Sequence, residues 1–251
     1  MTKNNSINGN YIAALDIGTS KVVCLIGSIS DSHSIEIVAM GSYPSSGLKK
    51  GVVVNIDATT DAIQKSIEQA KNSFEGKIKN VFVGIAGNHI KSLNSHGIVG
   101  IKDKEVTQLD VEKVIDAAQA VAIPSDQRVL HVLPQEFVID DQDAIREPLG
   151  MSGVRLESHV HLVTCANNAI QNIEKCVKRC GIGIDGFVLE QLASSYSILS
   201  NDEKELGVCI VDIGGGTTDI AIFNNGSICF TGVIPIAGDQ VTSDIAVALR
   251  T

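Results

Sequence analysis

Two short segments constrain this chain more than anything else in it. One reads Asp16-Ile17-Gly18-Thr19-Ser20-Lys21, the other Asp212-Ile213-Gly214-Gly215-Gly216-Thr217-Thr218-Asp219. Each follows an apolar run, at 12–15 and 208–211, and leads into another. The design is an apolar strand, Asp-Ile-Gly, small hydroxyl residues and a second apolar strand, and it occurs twice. Such duplication governs how the rest of a chain is read.

The chemistry of this turn is specific. The aspartate ends a buried strand and leaves its carboxylate at the tip. There Asp16 and Asp212 suit a Mg²⁺ held through water, since Mg²⁺ keeps most of its hydration shell. Glycines at 18 and 214–216 let the backbone come close to a ligand. Successive turn N–H groups converge on an anion. Thr19, Ser20, Thr217 and Thr218 add hydroxyls, and Lys21 adds a charge. Two such turns face to face would grip a polyphosphate from both sides. A pair of ordinary hairpin turns is the plainer reading, and the triple glycine between Asp212 and Asp219 and the duplication both count against it. Neither turn is a P-loop or a dinucleotide fingerprint, because GxxxxGK[ST] is absent and no GxGxxG opens a helix.

Around these turns the pattern alternates. Residues 1–10 read as a disordered tail, and 11–16, 21–29 and 34–42 as consecutive antiparallel strands. A loop or short extended piece covers 48–54. A helix starting at Asp57 carries the stripe Ile63, Ile67, Ala70 and Phe74. The dipeptide Gly87-Asn88 predicts a hairpin between 81–86 and 89–93, with another short strand at 97–101. Asp110 is expected to N-cap a helix with Val114, Ile115 and Ala118 inward. Strands follow at 129–139 and 154–165, separated by a polar loop at 140–153. A helix at 169–180, a strand at 184–189 and a short helix at 192–199 come next, and then an acidic surface linker at 201–205. The chain ends on strands at 208–213, 217–224 and 227–236 and a helix from Asp239 to Leu249.

Composition excludes several function classes. Lys plus Arg total 20 and Asp plus Glu 29, giving a net charge of −9, the wrong sign for non-specific nucleic-acid binding. Tryptophan is absent and aromatics are 4%, which leaves little to stack bases on. No apolar run approaches the roughly 18 residues that span a bilayer, and no signal peptide is evident, so a cytosolic chain without an anchor is expected. Cys176 and Cys180 are one helical turn apart and are expected to be buried, reduced thiols. His159 and His161 share a strand face, but no third metal ligand is evident. Asp140, Asp141 and Asp143 do not have EF-hand spacing and read as a solvated loop.

The two turns resemble the phosphate-1 (Asp16 to Lys21) and phosphate-2 (Asp212 to Asp219) motifs of the actin-like ATPase superfamily. Residues 187–199, with Glu190, resemble its first connecting helix. Within that superfamily the likeness is strongest to the bacterial FtsA family, through VLHVLPQE at 129–136, PLGMSGVRL at 148–156, HVHLVTC at 159–165 and LASSY at 192–196. It runs from about Tyr11 to Thr251. The implied fold is α/β, an actin-like (ribonuclease H-like) ATPase fold with an inserted α+β subdomain and an incomplete second lobe. Residues 11–82 and 161–199 would form subdomain IA, 83–160 the inserted subdomain IC, and 206–251 part of subdomain IIA.

The resemblance also implies function. The family binds ATP with Mg²⁺, self-associates into filaments, tethers FtsZ to the inner membrane at the division site and recruits later division proteins. By motif the nucleotide contacts would be Asp16, Gly18, Thr19, Ser20, Lys21, Asp212, Gly214, Gly215, Gly216, Thr217, Thr218, Asp219 and Gly238. Glu190 is the candidate catalytic carboxylate, with at most weak ATPase activity expected. Gln191 stands where relatives often carry proline. The FtsZ-contacting subdomain, the adenosine motif and the membrane helix of the family would fall beyond Thr251, and residues 206–251 are expected to expose apolar surface. A pilus-assembly scaffold and a small-molecule kinase of the same superfamily are the alternatives.

Overall fold

The computed structural model describes residues 11–30 and 34–251, so the expected tail at 1–10 lies outside the described residues. The strands are β1 (Tyr11–Ile17), β2 (Lys21–Ile29), β3 (Ile35–Pro44), β4 (Leu48–Lys49), β5 (Val52–Val53), β6 (Asn80–Ile85), β7 (Ile90–Gly100), β8 (Gln127–Ile139), β9 (Gln142–Ile145), β10 (Arg155–Ala166), β11 (Gly183–Leu189), β12 (Val208–Ile213), β13 (Thr218–Asn224) and β14 (Ser227–Ile234). The helices are α1 (Ile56–Lys71), α2 (Gln108–Gln119), α3 (Asn167–Arg179), α4 (Glu190–Ile198), α5 (Asn201–Leu206) and α6 (Gly238–Leu249).

The first sheet has the order β11-β6-β1-β2-β3. Its β1–β2–β3 meander is antiparallel, as the short polar gaps predict, and β6 and β11 join it in parallel. Helices α1 and α3 pack together over it. Their stripes, Ile63, Ile67 and Ala70 on one and Ile170, Ile173 and Val177 on the other, close a core with Leu15, Val22, Cys24, Val81 and Val83. Asn55 caps α1 by accepting from the Ala58 N–H at 3.0 Å, and Asp57 sits in the first turn. At Gly41 the helix lies directly on β3, and a Cβ there would collide with the Ser66 carbonyl and sit 2.6 Å from the Ala70 nitrogen.

The second sheet, β7-β10-β8-β9, is covered by α2. Here the structure corrects the local reading. Gly87-Asn88 is no hairpin: β6 ends in the first sheet, whereas β7 pairs with β10 in the second. The two short strands expected at 89–93 and 97–101 are one continuous β7. Val83, where the insertion was expected to open, lies within β6 and pairs with Leu15. The N-cap of α2 is Thr107, and Asp110 is the third helical residue of a capping box, its Oδ2 accepting from the Thr107 N–H at 3.1 Å. The polar loop at 140–153 contains β9, which turns back onto β8.

The third sheet, β12-β13-β14, is antiparallel throughout. The expected acidic linker is the short helix α5, opened by a Ser200–Glu203 capping box. No residue of α6 is buried, and Val241, Ile245, Val247 and Leu249 on it are all exposed, as expected for 206–251. Among the described residues no helix is long and apolar enough to cross a membrane.

Candidate functional site

Both Asp-Ile-Gly segments fold as the same tight hairpin. In the first, Gly18 N–H donates to the Lys21 carbonyl at 3.0 Å; in the second, Gly214 N–H donates to the Thr217 carbonyl at 2.9 Å. This leaves Thr19-Ser20 and Gly215-Gly216 at the two tips. None of the described residues accepts from the backbone N–H groups of these four.

The tips touch. Gly215 packs so closely on Ser20 that a Cβ would collide with its Oγ, and a Cβ on Gly216 would lie 2.7 Å from Thr19 Oγ1. Glycine fits here because the Ser20 and Thr19 hydroxyls and the Lys50 backbone press against the second tip, and neither Gly215 nor Gly216 has a positive φ. Strands β1 and β12 thereby aim Asp16 and Asp212 toward one another. Desolvation lifts the Asp16 carboxyl above its ordinary value, Lys21 opposes this and Asp212 adds to it. Glu190, at the start of α4 and against Gly84, is held well above the usual carboxylate range by burial and then by the charges of Asp16, Asp219 and Asp212.

The remaining sequence-expected residues sort by what they touch. Asp219 is buried, accepting from Thr217 Oγ1 at 2.9 Å and from Gln191 Nε2 at 3.1 Å. Burial pushes its carboxyl up to about 6 despite the Thr217 hydrogen bond, and Asp212 adds to the rise. The Thr217 hydroxyl is therefore spent inside the turn. Thr218 Oγ1 likewise donates to the Ile236 carbonyl at 2.7 Å. Gly238 and Asp239 donate their N–H groups to the Gly214 and Gly215 carbonyls at 3.1 and 2.9 Å, so the start of α6 holds the second tip in place. Lys21 is exposed at the edge of the first turn. Two contributors escaped the sequence reading. Gln191 is buried and bridges α4 to Asp219, and the β4–β5 turn reaches the first tip through Gly51 N–H, which donates to Thr19 Oγ1 at 3.2 Å. The available signals were an amide directly after Glu190 at the start of α4 and the Lys-Lys-Gly sequence of that turn.

The other candidates stay apart. His159 bonds Glu136 Oε1 at 3.0 Å, whereas His161 is buried between Asn94 Oδ1 at 2.7 Å and Thr231 Oγ1 at 3.0 Å. Asp140 caps the turn before β10, accepting from the Val154 and Arg155 N–H groups. Cys176 is buried and Cys180 half-buried, both as free thiols with burial raising their pKa. No group of three His, Cys, Asp or Glu among the described residues is close enough to cage a metal directly.

Comparison with known proteins places this geometry. The family description "SHS2 domain inserted in FTSA" matches residues 87–164, and "Cell division protein FtsA" matches 209–251. Cell division protein FtsA of Pseudomonas aeruginosa is 66% identical over 244 residues, which is 97% of this chain and 58% of that protein. Those of Neisseria meningitidis and Escherichia coli K12 are 52% and 46% identical, each over 96% of this chain and 58% and 57% of their own length. This chain belongs to the FtsA family. It spans a little under three fifths of the length of these FtsA relatives. Its fold is actin-like: a type IV pilus biogenesis complex of PilM and PilN superposes with a TM-score of 0.71 at 15% identity, covering 96% of this chain and 66% of that one. The ethanolamine utilization protein EutJ from Carboxydothermus hydrogenoformans superposes with 0.56, also at 15% identity, covering 98% and 59%. The FtsA insertion, matched at 87–164, opens just after β6 ends in the first sheet.

Proposed function

We propose that the two contacting turns bind the polyphosphate of Mg-ATP, and that the chain is the nucleotide-gripping part of an actin-like division scaffold. The observation that carries this reading is the contact of Thr19-Ser20 with Gly215-Gly216, which brings together two tips whose four backbone N–H groups have no acceptor among the described residues. Such a cluster suits phosphate oxygens. Asp16 and Asp212 across the tips suit a hydrated Mg²⁺, which keeps most of its own waters. The metal would supply charge neutralisation between phosphate and carboxylates. Glu190, kept protonated more readily than an exposed carboxylate, is placed to hold or pass a proton beside them.

In this reading β1 through β6 with α3, β11 and α4 form the first lobe, the matched 87–164 the insertion and 206–251 part of the second lobe. The FtsA relatives support a role at the division site, with self-association, FtsZ tethering, recruitment of later division proteins and residence at the cytoplasmic face of the inner membrane as its components. Calorimetric titration with Mg-ATP and with Mg-tripolyphosphate tests the grip. Asp212→Ala is expected to weaken both by about tenfold or more, the scale of a lost charge-assisted interaction. Unchanged affinity in that variant overturns the phosphate assignment.

A further inference from the structure

The β4–β5 turn forms a third wall of the space between the two tips. Lys50 and Gly51 at its apex have φ of 52° and 74°. A lysine in the left-handed region is strained relative to an ordinary backbone conformation, so its surroundings must hold it there. They do: the Lys50 nitrogen and Cα lie 3.0 Å from where a Cβ on Gly216 would sit, and Gly51 N–H holds Thr19 Oγ1. One turn therefore touches both tips at once.

Beside it opens a cavity of about 210 Å³ lined in part by Thr19, Lys49, Lys50, Gly216 and Asp239. Lys49 and Lys50 are exposed, and neither forms an ion pair among the described residues. Across residues 16–21 and 212–219 Lys21 is the only cation, set against Asp16, Asp212 and Asp219 and the neighbouring Glu190. A polyphosphate brought to these tips meets more acid than base unless further cations reach it. Lys49 and Lys50, which line the cavity beside the tips, are such charges.

We propose that the Lys49-Lys50 turn is a third polyphosphate-binding element, with Lys50 the principal contact. The inference rests on reading the two tips as a phosphate site. The test is calorimetric titration of the chain with Mg-tripolyphosphate and Mg-ATP at two salt concentrations. Lys50→Gly removes the charge and suits the left-handed backbone, so folding is retained, as circular dichroism and a thermal melt will verify. It is expected to weaken both ligands about tenfold. Lys49→Ala combined with Lys50→Gly weakens them further and flattens the salt dependence, while Lys50→Arg stays within about threefold of the parent. A folded double variant that binds both ligands like the parent overturns the proposal and leaves the two-tip reading standing. Equal losses in Lys50→Arg and Lys50→Gly overturn the charge role, because shape alone would then explain them. A parent chain that binds neither ligand overturns both readings.

Discussion

Asp219 shows how a residue assigned to a ligand by motif can instead serve the site from behind. It is 5% exposed, hydrogen-bonded to Thr217 and Gln191, and its carboxyl is pushed up to about 6. A raised acid favours the folded state when protonated. Its contribution is full below the unfolded value near 4 and is lost as pH rises through 6. Between pH 7 and pH 5 the parent should therefore gain about 1 kcal/mol relative to Asp219→Asn, which carries no titrating group there. Urea unfolding of both proteins at the two pH values measures this, and parallel pH slopes would count against it. The acid and the threonines were legible in the sequence because Asp-Ile-Gly is a local code. That Thr217 and Thr218 turn inward was not, because their partners, Asp219 and the Ile236 carbonyl, are fixed only when β13 and β14 pair. Gln191 was visible only as a departure from proline, and its purpose depends on Asp219, 28 residues away.

Among the elements, what was legible follows how local the cause is. The meander β1–β2–β3 and helices α1 and α3 follow from periodicity and short gaps. The Gly87-Asn88 hairpin failed because β7 finds its partner in β10, far along the chain, and that pairing outweighs a local turn preference. The short helix α5 and the start of α2 each carry a capping box, Ser200 with Glu203 and Thr107 with Asp110, and that signal was available but unread. Glycine sets helix-on-strand distance in both layers. At Gly97, facing α2, a Cβ would collide with the Val114 carbonyl and sit 2.5 Å from the Ala118 nitrogen. Those are backbone atoms with no rotamer to retreat into. Gly97→Ala is thus expected to destabilise the β7–α2 layer by about 2–3 kcal/mol. Hydrogen exchange should quicken in β7 and α2 and stay unchanged in β1, β2 and α1. A change below about 0.5 kcal/mol would show that α2 shifts at no cost.

At the scale of the molecule, the insertion and the third sheet meet through a polar seam. Ser92 Oγ donates to the Thr231 carbonyl at 3.0 Å, Asn94 Nδ2 to Cys229 at 3.2 Å and Gln135 Nε2 to Ile228 at 2.9 Å; Ser227 Oγ donates to the Gln135 carbonyl, and Arg146 pairs with Glu205. Neither the sheet pairing nor the composition could have shown this, since every partner lies about 60 or more residues from its mate. His161 is the one titratable group buried in the seam among the described residues, 1% exposed, its two nitrogens held by Asn94 and Thr231. Burial lowers it to about 4. A depressed base favours the folded state when neutral, so this stability is present above the unfolded value near 6.5 and is lost as pH falls toward 4. The sign opposes that of Asp219, so the two partly cancel in the parent between pH 7 and pH 5. Replacing the histidine separates them. His161→Gln, neutral at every pH, should lose about 2 kcal/mol less than the parent on acidification from pH 7 to pH 5. Urea midpoints at the two pH values read this directly. If parent and variant fall together, protonation is tolerated in the seam, and the Asn94 and Thr231 contacts must rearrange around the charge.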